Sequence, residues 1–262
     1  LDENVDRAVS MAKGEYVWVF GDDDLIVPGM IGSVLELLEK ERYGLLVVNS
    51  QSFKDDKIVE QGRHFLLKDR EYGPSENEEF LMDMGGYLTY VCSTIIKKDL
   101  WLSNFNSTLI GSFFTHLSTF LNAKKGNVAY FFSEPLIKMR LHCQTWTDHH
   151  FQIWNINYPN VVWGLKGFSD FAKSRVVKRK PLHSVFSVLA SRAYGRYDSS
   201  IFINYILPST DCSLPFKFIH LCIALVPRTL FRLLYCSLIH LGIKKRSVNF
   251  SPDLALALLK QG

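Results

Sequence analysis

Tyr16-Val17-Trp18-Val19-Phe20-Gly21-Asp22-Asp23-Asp24 is the stretch on which the reading of this chain turns. Five consecutive apolar residues, aromatic and β-branched, predict a short strand buried on both faces, as in a parallel α/β sheet. Three carboxylates follow directly at its carboxyl end, where open α/β sheets bind ligands. Asp22 and Asp24 have D-x-D spacing, so one turn can bring two carboxylates to a divalent cation and the diphosphate it grips. Three aspartates alone also suit a solvated turn that caps the following helix.

On the amino-terminal side, Val5, Ala8, Val9 and Ala12 recur at helical spacing and predict a short amphipathic helix, ended near Gly14. On the other side, Pro28-Gly29 leads into a helix with the apolar stripe Ile31, Val34, Leu35 and Leu38. Leu45-Leu46-Val47-Val48 reads as a second buried strand, and residues 50–74 as a hairpin or an irregular excursion. Ser75 and Glu78 have capping-box spacing and place a helix over 76–84, broken by Gly85-Gly86. Residues 87–96 and 128–132 read as strands and 112–123 as a helix; beyond about 150 the apolar segments are helical or irregular. Alternation of this kind predicts an α/β domain over 1–150 and a helical region over 151–262.

At 262 residues, with 47% hydrophobic and 21% charged, the chain has ample core material and is no disordered segment. A net charge of +4, without a basic stripe, argues against a dedicated nucleic-acid binder. Five cysteines with no C-x-x-C pair argue against a disulfide framework or zinc ribbon and point to a reducing compartment. The chain opens Leu1-Asp2-Glu3, with neither Met nor a signal-peptide pattern, and reads as the later part of a longer sequence. From Leu214 to Leu241 it is strongly apolar, but Lys217, Arg228 and Arg232 interrupt it. The uncharged runs Phe218–Pro227 and Leu233–Ile243 fall well short of the roughly 20 residues that span a bilayer. With Lys244-Lys245-Arg246 following, two readings stay open: a helix lying in an anionic membrane interface, or core helices of a bundle.

The segment Ala12-Lys13-Gly14-Glu15-Tyr16 to Asp22-Asp23-Asp24-Leu25 closely resembles the A-x-G-E-Y, hydrophobic run, D-x-D-D pattern of family 2 glycosyltransferases. Further on, Tyr90 to Trp101 (with Ser93, Ile95, Lys97-Lys98), then Ile110-Gly111-Ser112-Phe113-Phe114-Thr115-His116, is similar to the bacterial O-antigen branch, abequosyltransferase-like proteins. The resemblance implies a GT-A-like mixed sheet flanked by helices, with its amino-terminal portion missing and a carboxyl-terminal helical region. It implies transfer of a sugar from a nucleotide diphosphate sugar to a lipid-linked saccharide acceptor, with Mg²⁺ or Mn²⁺, in surface polysaccharide synthesis. The location implied is cytoplasmic, peripheral at the inner, anionic face of the cell membrane. The rival is a non-catalytic remnant that binds a membrane surface or a partner.

Carried over residue by residue, Asp22 faces the nucleotide ribose or the metal, Asp24 is the principal metal ligand, and Asp23 keeps the turn acidic. The alternative within this branch is use of the second and third carboxylates. Arg140-Leu141-His142 resembles the family's R-x-H element, with the arginine neutralising phosphate and the histidine near the metal or diphosphate. Many relatives place an acidic pair where the acceptor is activated, whereas here the helix start reads Gly111-Ser112-Phe113-Phe114. His116 is the expected substitute base and Asp148 the second candidate. His116 equally fits a helical histidine bonded to a neighbouring carbonyl. Trp146 is the expected acceptor-facing aromatic; Trp101, Trp154 and Trp163 offer further apolar faces, the last two read as core.

Overall fold

The computed structural model describes residues 1–40, 43–54, 57–60, 62, 66–141 and 149–231. It divides into two compact units, one from the described residues of 1–146 with 153–179, the other from those of 147–152 and 180–262. Helical elements run on from His150, and of these residues 153–179 group with the sheet while the rest form the second unit.

The first unit opens with α1 (Asp2–Met11), which buries Val5 and Val9 as the helical spacing requires. β1 (Tyr16–Trp18) and the two-residue β2 (Leu25–Ile26) flank the acidic turn, followed by α2 (Met30–Lys40). β3 (Leu45–Lys54) pairs with β4 (Lys57–Glu60), and β5 (Arg70–Tyr72) leads to α3 (Asn77–Met84). β6 (Thr94–Lys97) runs into α4 (Lys98–Asn104), then α5 (Thr115–Lys124) and β7 (Ala129–Arg140).

The sheet order is β1-β6-β3-β7-β2, with β4 on β3 and β5 on β7. β3 and β7 run parallel, Leu45 opposite Ala129, while β1–β6, β3–β6 and β2–β7 are antiparallel, so the sheet is mixed. Leu45 to Val48, at 0–1% exposure, form the centre, as the continuous apolar run predicts. Beyond Val48 the β3–β7 register shifts where Pro135, with no N–H to give, faces Asn49. Asn49 Nδ2 donates to Ser133 O at 2.8 Å and satisfies a carbonyl at that irregularity.

Several local expectations are corrected. β1 lies at the sheet's edge, pairs antiparallel with β6 and buries only Val17, so an apolar run did not mean burial on both faces. α2 buries Val34, with Leu37 and Leu38 packed beside it, but Ile31 and Leu35 are 51% and 54% exposed. Residues 87–93 form two 3₁₀ turns, leaving only Thr94–Lys97 as strand. The helix expected from 112 starts at Thr115, because Gly111 and Phe113 have positive φ (90° and 69°) outside the helical region. Ser75 does not cap α3: Glu76 accepts from Gly73 N at 2.6 Å, and Glu78 reaches Ser169 instead. Fully buried Trp101 is core, its Nε1 donating to Asp6 Oδ1 at 3.1 Å.

α7 (Tyr158–Gly164) and α8 (Asp170–Val176) complete this unit, with Trp154 partly buried against the main core and Trp163 Nε1 bonded to Val177 O. The second unit holds α6 (His150–Gln152), α9 (Val185–Ala193), α10 (Ser199–Ile201), a π-turn over Phe202–Ile206, and α11 (Leu214–Leu225). Phe151, Val188, Tyr197, Phe202, Ile206 and Ile223 share its core. His220 is buried there, Nδ1 3.1 Å from Tyr197 Oη and Nε2 2.8 Å from Leu182 O. Among the described residues no helix is long and apolar enough to cross a membrane.

Candidate active site

The acidic turn lies where it is expected, at the carboxyl end of β1, and the tertiary structure differentiates its three carboxylates. Asp22 is exposed, Asp23 half-buried and Asp24 buried. Asp24 is a latch: Oδ1 accepts from the Arg140 backbone N–H at 3.0 Å, Oδ2 from the Tyr90 hydroxyl at 2.5 Å. It thus ties the turn to the end of β7 and to the 3₁₀ segment before β6. Burial and the bond to Asp24 both raise the Tyr90 pKa, so the phenol stays protonated and donates. Cys92 is buried below, its Sγ accepting from Gly21 N at 3.3 Å, and its pKa is pushed up to about 12, mainly by burial. It is a neutral thiol that packs, not a nucleophile.

Arg140 is exposed at the end of β7, its Nε donating to Asp23 O at 3.1 Å and its guanidinium 4.8 Å over the Phe53 ring. Arg140 therefore meets the acidic turn through its backbone N–H, 116 residues from Asp24, and through Nε on the Asp23 carbonyl. Gly21 forms the floor of the turn. A Cβ there would lie 2.8 Å from Asp23 Oδ1 and 3.6 Å from Asp24 Oδ2, so the carboxylates form a tight cradle over the Gly21 backbone that leaves no room for a side chain. Among the described residues no hydrogen bond holds the Asp22 or Asp23 carboxylate, and no cluster of three or more His, Cys, Asp or Glu forms a ready metal centre. His142, Asp148 and Trp146 lie outside the described residues.

His116 is placed in the core, 2% exposed, its ring against Phe114 and Phe120. Nε2 lies 3.2 Å from Thr89 O, which can only accept, so Nε2 carries the hydrogen and donates. The pKa is lowered from 6.5 to about 4: burial dominates, opposed by the bond to Thr89 and the charge of Asp2. Of the two sequence readings of His116, this geometry is that of the carbonyl-bonded helical histidine, and its bond holds the backbone immediately before Tyr90.

Asp2 was not among the sequence candidates, and its carboxylate packs against Gly111-Ser112-Phe113-Phe114 as a structural acceptor. It is 5% exposed, Oδ2 accepting from Gly111 N (2.9 Å) and Phe113 N (3.0 Å), Oδ1 from Thr115 N at 3.4 Å. One carboxylate at the start of α5 thereby satisfies three backbone donors. No local pattern announces a contact across 109 residues or more. Tyr90 and Cys92 sit inside a recognisable motif, yet only their approach to Asp24 and Gly21 reveals their work.

With this geometry in view, the likenesses to known proteins fall into place. Residues 1–98 match the family described as Glycosyl transferase family 2. The abequosyltransferase RfbV of Salmonella typhimurium is 27% identical over 150 residues, 53% of this chain and 45% of that protein. The chain thus spans less than half the length of that relative. Among solved structures, S. aureus TarS 1–349 in complex with UDP superposes with a TM-score of 0.51 at 10% identity, covering 94% of this chain and 72% of that one. Another structure of TarS 1–349 gives 0.47 at 13% identity, over 73% and 53% of the two chains. The first of these superpositions supports the GT-A-like mixed α/β fold. Residues 1–98, acidic turn included, thus match the family 2 glycosyl transferase model, and 150 residues of the chain are similar in sequence to an abequosyltransferase.

Proposed function

We propose that this site transfers a sugar from a nucleoside diphosphate sugar to a hydroxyl of a saccharide acceptor, in O-antigen-type surface polysaccharide synthesis. The observation that carries the reading is the pair of carboxylates, Asp23 and Asp24, overhanging the Gly21 cradle within the segment that matches the family. UDP bound in TarS supports a nucleoside diphosphate as the donor's leaving part. The 27% identity to an abequosyltransferase supports a polysaccharide acceptor, here assigned as lipid-linked and presented at the membrane face.

Asp22 and Asp23 would hold Mg²⁺ or Mn²⁺, with Asp24 adding the lone pairs left by its two hydrogen bonds, and His142 is assigned to the same ion from the R-x-H resemblance alone. When bound, the ion supplies positive charge against the diphosphate as it leaves. Arg140, anchored on Asp23 O and Phe53, holds a second positive charge at the same turn. The acceptor oxygen bonds to the anomeric carbon as the carbon–oxygen bond to the diphosphate breaks, with inversion. The acceptor's proton goes to a base, and with His116 in the core that role falls to Asp148.

Calorimetric titration with UDP, with and without Mn²⁺, tests this reading. Binding is expected to require the ion and to weaken about ten-fold or more in Asp23→Asn, with the urea midpoint nearly unchanged because Asp23 is half-buried. Asp24→Asn should also cost about 1–3 kcal/mol of stability, since its amide cannot accept on both sides. A folded chain that binds no nucleoside diphosphate, with or without metal, would show the fold kept as a non-catalytic remnant.

A further inference from the structure

α11 is apolar on two sides, and among the described residues only one of them packs into a core. Inward, His220, Ile223 and Ala224 are buried, with Phe216 and Ile219 packed against the same cluster. Outward, Leu214, Phe218 and Leu225 are 80%, 68% and 67% exposed, spaced four and seven residues apart along one helical face. The preceding π-turn, which packs on α11, adds Ile203 and Leu207, also exposed and four residues apart. Lys217 Nζ donates to Leu207 O at 2.7 Å and fixes this turn beside the helix. Five large exposed apolar side chains thus lie on α11 and the segment packed beside it, three of them on one helical face, unlike scattered exposed residues that need no explanation.

Charge selects the partner. α11 carries no acidic residue, Lys217 lies among the exposed apolar side chains, and Arg228 is exposed just beyond the helix end. From Leu214 to Gly262 the sequence holds Lys217, Arg228, Arg232, Lys244, Lys245, Arg246 and Lys260 against the single acid Asp253. A short helix with apolar side chains outward and cations at its flanks matches the chemistry of an anionic bilayer surface: hydrocarbon below, phosphate at the level of the ammonium and guanidinium groups. At 12 residues it lies on such a surface and does not cross it. We propose that the outward face of α11, with Ile203 and Leu207, inserts into the headgroup region of an anionic membrane. Lys217 and Arg228 then meet lipid phosphates. This assignment is independent of the sugar-transfer reading.

The test is sedimentation of the full chain with vesicles of phosphatidylcholine containing phosphatidylglycerol, against phosphatidylcholine alone. Binding should require the anionic lipid, weaken with salt, and fall about ten-fold or more in the variant Leu214→Ser, Phe218→Ser, Leu225→Ser. These side chains are exposed, so the urea midpoint and manganese-dependent UDP binding should not change. Phe218→Trp provides a second measurement: its fluorescence should be quenched by brominated lipid. Binding that is absent in the parent, equal in the triple variant, or indifferent to bromolipid overturns the proposal. So does a parent that is dimeric and a triple variant that is monomeric without any lipid effect, since the face would then cover a second copy of the chain.

Discussion

Acidification should destabilise the sheet unit through His116, by an amount that the structure sets. The folded-state pKa is lowered from 6.5 to about 4, with burial as its main cause. Above pH 6.5 the ring is neutral in both states and contributes no pH dependence. Below it, the unfolded chain takes up a proton that the folded ring refuses, and stability falls by about 1.4 kcal/mol per pH unit. The loss ends near pH 4, where the folded ring protonates too, for a total of about 3 kcal/mol. The measurement is urea unfolding at pH values from 7 to 4, parent against His116→Gln. Glutamine retains an N–H donor for Thr89 O and removes the titration. His150, lowered to about 4, and His220, lowered by burial, belong to the other unit and contribute equally to both proteins. The stability difference between parent and variant should therefore shift by about 3 kcal/mol across that range. Parallel curves would refute the reasoning, because they would mean that the folded ring takes a proton as readily as the unfolded one. The same pKa bears on catalysis: an acid limb of activity near pH 6.5 would have to come from a group other than His116.

Two further outcomes follow from the site's geometry. Gly21→Ala would set a methyl 2.8 Å from Asp23 Oδ1, so manganese-dependent UDP binding should weaken about ten-fold while the urea midpoint shifts little; unchanged affinity would show that the cradle is not where the ion sits. Asp2→Ala would strip the shared acceptor from Gly111, Phe113 and Thr115 and should cost about 3 kcal/mol in urea unfolding. Asp2→Asn should cost less, since one oxygen remains, and equal losses in both would point to helix packing instead.

The resemblance over residues 1–40 was enough to name the family segment, because the acidic turn and its A-x-G-E-Y lead-in are contiguous in sequence. The R-x-H element, three residues long, carried far less information, and only the hydrogen bonds from Arg140 to Asp24 and to the backbone at Asp23 make its arginine part of the turn. His116 shows the opposite case. A histidine at a helix start reads equally well as base or as filler until its depth is known, and depth depends on what packs over α5.

Local pattern carried the elements whose form depends on near neighbours. α1 follows from the 3.6-residue recurrence of Val5 and Val9, and the centre of β3 from four consecutive apolar residues that water disfavours wherever they lie. Strand order followed from neither. β1 is as apolar as β3 in sequence, yet it stands at the edge, because the pairing partner is chosen by the whole sheet. In the same way, Asp2, Asp24 and Tyr90 acquire their roles from donors and acceptors 66 to 116 residues away. A carboxylate's local sequence sets its charge, but burial and hydrogen-bond partners decide whether it latches a turn or faces a ligand, and those arise only when distant segments pack together.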